Sequence, residues 1–84
     1  MAEKVAKVVL TYPPEVWERI NPEQEAMTLG TRGFYCVTDL KEGIINAVPF
    51  SHIDPRKVFN DDVVRNLKLM GIGIEFKSEE VQQY

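Results

Sequence analysis

The 84-residue sequence holds one cysteine, one histidine and one tryptophan, and no long apolar run. Each shortage excludes something. With Cys36 alone, no internal disulfide can form, and a reducing compartment is the simplest expectation. Structural zinc wants four Cys or His ligands and catalytic zinc usually three, so Cys36 and His52 cannot make such a site. No stretch approaches the ~20 apolar residues of a membrane span. Val8 to Leu10 is too short for the apolar core of a signal peptide. Basic residues are not in excess: ten Lys and Arg face thirteen Asp and Glu, for a formal charge of −3. That balance argues against an electrostatic footprint on nucleic acid or on an anionic membrane. The expectation is a cytoplasmic protein with no cofactor, no metal, no membrane and no nucleic-acid partner.

What is present suits one small globular domain spanning residues 1–84. Apolar residues make up 44% and charged residues 27%, which is ordinary for a folded domain and unlike a disordered one. The clearest stretch runs from Asn60 to Lys77, NDDVVRNLKLMGIGIEFK. Asn60, Asp61 or Asp62 can cap a helix, and the acidic pair suits its positive end. Val63, Val64, Leu67 and Met70 share one helical face. Gly71 stands where a left-handed residue ends a helix. Ile72, Ile74 and Phe76 then alternate with glycine and glutamate, predicting a strand with one buried face.

The rest of the chain reads in the same terms. Val5 to Tyr12 is rich in β-branched residues and apolar on both sides, which suits a central strand. Ala6, Val8, Leu10 and Tyr12 are expected on one face. Pro13-Pro14 stops it. Two short helices follow, Glu15 to Ile20 and then Glu23 to Leu29, the second capped by Asn21 and ended by Gly30. Phe34 to Thr38 and Ile44 to Phe50 are strands of a hairpin turned by Asp39 to Gly43. Pro49 must lie at a strand end, an edge or a bulge. Asp54-Pro55 opens another turn of helix. Residues 1–4 and 78–84 are expected to fray.

The order strand, helix, strand, strand, helix, strand predicts an α+β domain of ferredoxin-like βαββαβ pattern. It implies a four-stranded antiparallel sheet with the first and third strands central and two helices on one face. A small barrel-like sheet with short helices is the alternative.

No motif here is chemically specific. His52 has a pKa suited to acid–base work and Asp54 stands near enough to orient it, but a surface histidine beside a cap explains both residues as well. Cys36, mid-strand, reads as a small apolar residue. No catalytic residues are assigned, and the chain is not expected to be an enzyme. Gly30, Thr31, Arg32 and Gly33 form the most suggestive loop, where glycine amides and the Arg32 fork suit a small anionic ligand with His52 nearby. The spacing matches neither the Walker loop nor the dinucleotide fingerprint.

The aromatic residues Tyr12, Trp17, Phe34, Tyr35 and Phe50 supply candidate interface anchors. Small size and open sheet edges point first to a non-catalytic interaction or regulatory module. Such a module would bind a protein partner or itself, as a dimer or other homo-oligomer. A mobile-element or viral inhibitor of a host factor is one version of that reading. A small-molecule or anion-binding domain using the 30–33 loop is the alternative.

Overall fold

The structure is a computed structural model that describes residues 5–78. Its elements in chain order are β1 (Val5–Thr11), α1 (Pro14–Trp17), α2 (Pro22–Thr31), β2 (Phe34–Asp39), β3 (Ile44–Pro49), α3 (Pro55–Val58), α4 (Asp61–Leu69) and β4 (Gly73–Ser78). The strands form one antiparallel open sheet in the order β2-β3-β1-β4. β1 and β3 are therefore central, and the sheet does not close into the barrel-like alternative. Four short helices are described, one at each helical stretch read from the sequence, where the ferredoxin-like pattern counts two. Prolines divide them, since Pro14, Pro22 and Pro55 each open a helix at its first position. The expected fraying at 1–4 and 79–84 lies outside the described residues, whereas Ser78 ends β4 and is not part of a tail.

Local chemistry sets most boundaries. Asn60 Oδ1 accepts from the Val63 amide at 3.0 Å and starts α4. Asn21 Oδ1 accepts from Glu23 and Gln24 and starts α2, and Asp54 Oδ1 accepts from Arg56 at α3. Gly71 ends α4 with φ +82°, and Gly43 turns the β2–β3 hairpin with φ +70°. Pro49 is the last residue of β3, beyond the Val8–Ala47 pair that ends the ladder to β1. Its missing amide is therefore not called upon.

Three further expectations need correction. α2 runs through Gly30 to Thr31, so Gly30 does not end it. Met70 is 53% exposed and lies off the buried stripe, because α4 has finished by then and Met70 is its C-cap. The face set expected for β1 breaks near its start, where the register to β4 shifts between Val5 and Lys7. That bulge buries Val5 and leaves Ala6 half-exposed.

The core lies on one face of the sheet. Val8 and Leu10 of β1, Ile45 and Ala47 of β3, Phe34 of β2 and Ile72 ahead of β4 form a single cluster with Leu29 and Phe59. The helical residues Val16, Trp17, Val58, Val63, Val64 and Leu67 all pack against that same cluster. Phe59 meets Phe34 edge-on at 5.4 Å and Phe76 at 6.5 Å between ring centroids. Fully burying a side chain of this kind contributes roughly 1.5–3 kcal/mol, so a few such contacts hold the layer in place.

Candidate functional surface

Among the described residues, no helix covers the second face of the sheet. In a strand, alternate side chains leave opposite faces, and in β2 Phe34 is buried while Cys36 and Thr38 on the same face are half-buried. Tyr35, Val37 and Asp39 therefore point the other way, and Tyr35 is 64% and Val37 52% exposed. Register carries this row across the sheet. Tyr35 pairs with Val48, Val37 with Asn46, Asn46 with Val9, and Val9 with Glu75. Val48 is 38% exposed. The bare face thus holds an apolar patch of Tyr35, Val37 and Val48 on β2 and β3, with Asn46 standing between Val37 and Val9.

Charge is sorted along the strands. Lys7 of β1 and Lys77 of β4 are cross-strand partners at one end, beside Val48. Glu75 Oε1 lies 3.7 Å from Lys77 Nζ. An open depression of about 680 Å³ runs between Lys7, Val48, Glu75 and Lys77. Asp39 lies at the other end of the strands, on β2. Like charges opposite one another disfavour pairing, and Glu75 offsets the charge of Lys77 at this end of the strands.

The 30–33 segment is not an open loop. Gly30 and Thr31 are the last residues of α2, and Thr31 Oγ1 donates to the Thr28 carbonyl. The amides of Arg32 and Gly33 already donate to Leu29 and Gly30 at 3.0 and 3.1 Å. A helix C-terminus also presents partial negative charge. An anion here would meet the exposed Arg32 side chain and not those amides. The segment does lie beside the His52 turn, as the Phe50 amide donates to the Gly33 carbonyl at 2.9 Å. His52 is exposed and stacks on Phe50, with 6.4 Å between ring centroids. Asp54 uses Oδ1 to cap α3 and makes no hydrogen bond to His52. The register sets Cys36 opposite Ala47 and brings Gly33, not Cys36, to that turn.

The aromatic candidates separate. Tyr12 and Phe34 are core residues, because both sit on the helix-covered face, so neither is a surface anchor. Trp17 is half-buried. Its ring lies tilted against Tyr12 with 5.2 Å between centroids, and its Nε1 donates to the Leu40 carbonyl at 3.1 Å, closing the hairpin end of the core. Tyr35 and Phe50 are exposed. Burial pushes the Tyr12 phenol up to about 12, with Glu25 and Cys36 adding to the shift. Burial also raises the Cys36 thiol, which lowers its thiolate fraction and its nucleophilicity. Among the described residues, no three His, Cys, Asp or Glu side chains converge on a point, and no helix is long and apolar enough to cross a membrane.

Val37, Val48 and the Lys7–Lys77 pair escaped the sequence reading. The signal for Val37 was present, since β2 alternates Phe-Tyr-Cys-Val-Thr and one set must face away from the core. Comparison with family models, with curated proteins and with solved structures returned no match.

Proposed function

We propose that the chain is a small non-catalytic protein-interaction or regulatory module whose contact surface is the bare face of its sheet. The observation that carries the reading is the exposure of Tyr35, Val37 and Val48 side by side on that face. Contiguous exposed apolar patches of this kind are characteristic of protein contact sites. The strand order supports it, because β2-β3-β1-β4 is that of the ferredoxin-like split βαβ arrangement, which gathers its helices on one face. Fold alone does not assign function, so the weight rests on the surface. The partner is a protein, either a second copy or a larger chain, with an apolar centre and an acidic group for Lys7. The compartment in this reading is the cytoplasm, where Cys36 stays reduced.

The test is a variant carrying Val37→Lys and Val48→Lys, compared with the wild type by sedimentation velocity and by affinity recovery of bound protein. Both positions are exposed, so circular dichroism and thermal unfolding should stay unchanged. The expected result is loss of association, with itself or with a larger partner. A wild-type chain that stays monomeric and binds no protein whose retention depends on those two residues overturns the proposal.

A further inference from the structure

We infer that two copies of the chain pair through their β2 strands, antiparallel about a two-fold axis at Cys36, so that two four-stranded sheets become one. The inference rests on reading the chain as an interaction module and names its partner as a second copy.

The two edges of the sheet differ. β4 carries Glu75 and Lys77 on its outer face and opens with Gly73, and charged side chains on an edge strand discourage pairing. β2 has no lysine, no proline and no bulge, and its one charge, Asp39, stands at the last position. Its backbone is ready to pair. The Phe50 amide donates to the Gly33 carbonyl, so positions 33, 35, 37 and 39 turn their polar groups toward β3. Phe34, Cys36 and Thr38 consequently direct theirs to the open edge, and no other described residue bonds them.

An antiparallel pairing centred on Cys36 is self-complementary. Tyr35 of each copy falls opposite the partner's Val37 on the bare face. An aromatic residue opposite a β-branched one is a favourable cross-strand pair, and the two-fold makes it twice. Phe34 falls opposite the partner's Thr38. By ladder alternation this register forms about six backbone hydrogen bonds. The charges also match. Arg32 immediately precedes Gly33, and Gly33 falls opposite the partner's Asp39. Arg32 is exposed and forms no ion pair within the described chain. Asp39 gives Oδ1 to the Lys41 and Glu42 amides and keeps its second oxygen. Arg32 of each copy therefore meets the partner's Asp39 at both ends of the paired strands, while the bare faces merge into one broader surface.

The contact is small. Six residues span about 20 Å of edge, a contact smaller than the roughly 800 Å² per partner of a standard interface, so the dimer is a weak and reversible one. The experiment uses the full chain. Sedimentation across low to high micromolar concentration should show a monomer–dimer equilibrium. Copper-phenanthroline oxidation in air should then join Cys36 to the partner's Cys36, each thiol giving up one proton and one electron to the oxidant. Directly opposed Cα atoms at about 5.5 Å are within disulfide reach. A Cys36→Ser, Lys77→Cys protein, with its cysteine moved to β4, should not crosslink. The double variant Tyr35→Glu, Val37→Glu sets carboxylates opposite one another and should abolish the dimer. Arg32→Glu should weaken it about thirty-fold, because the two-fold loses two charge pairs of ~1 kcal/mol each.

Crosslinking that persists in guanidinium, or equal crosslinking through β4, overturns the inference. A dimer lost with Val48→Lys but indifferent to Arg32→Glu and to the double glutamate variant also overturns it, while leaving the interaction-module reading intact. Absence of any dimer overturns it too, and the module reading then stands or falls on a larger partner.

Discussion

The Ile53 side chain lies across the α-carbon of Gly33. A β-carbon on residue 33 would stand 2.5 Å from Ile53 Cγ1, and Gly33 holds φ +99°, where L side chains are strained. The turn after α2 is thereby clamped to the turn after β3, and the Phe50 to Gly33 hydrogen bond completes the join. Gly33→Ala should cost about 2–3 kcal/mol, from positive φ plus overpacking. Ile53→Ala alone should also destabilise, but the double variant should lose less than the sum, because the space left by one side chain receives the other. Urea unfolding followed by the fluorescence of Trp17 measures all three.

Gly30 predicts the opposite sign. It lies in the last turn of α2 at ordinary helical φ, and a β-carbon there would meet nothing within 4 Å. Gly30→Ala should stabilise the protein by about 0.5–1 kcal/mol, through helix propensity and a less free unfolded chain. In thermal unfolding this is a rise of a few degrees. A fall would mean that the backbone at residue 30 needs a freedom the structure does not use.

Tyr12 makes alkaline stability readable. Its phenol is raised to about 12 from an ordinary value near 10, so the unfolded chain loses that proton first. The folded state is favoured fully below pH 10, and this contribution fades as pH rises from 10 through 12. The whole effect is on the order of 2 kcal/mol. Tyr12→Phe should flatten that part of the stability–pH profile relative to wild type. Identical slopes for the two proteins between pH 10 and 12 would refute the assignment.

Asn60→Ala removes the acceptor that holds the Val63 amide at the start of α4. The expected loss is about 1 kcal/mol, which lowers Tm by roughly 4–8 °C in a domain of this size. Asn60→Asp should restore most of it. Calorimetry on the three proteins decides.

What the sequence made legible was local. Asn21, Asp54 and Asn60 act on amides two or three residues ahead, and Gly43 and Gly71 act on their own backbone, so composition and spacing reveal them. The central place of β1 was also legible, because both of its faces are apolar. Gly30 was misread as a stop because Leu29, buried one residue earlier, secures the last turn through contacts distant in sequence. Phe34 and Tyr35 look equivalent as neighbouring aromatics. Which of them is buried depends on the face the helices choose, and all four helices must be placed before that is settled. The bare face was therefore foreseeable as a possibility of the fold but not as Tyr35, Val37 and Val48.

Val9 of β1 pairs with Asn46 on one side and Glu75 on the other. Of the four strands of the sheet, the first to be synthesised is thus the last to be completed. Until β4 has been synthesised, β1 offers an unpaired, strongly apolar edge, and nearly the whole chain must exist before the domain can close. Such long-range pairing slows folding and exposes a nascent chain to aggregation. A chain cut before Ile72 should for that reason be recovered as insoluble material rather than as a smaller folded unit.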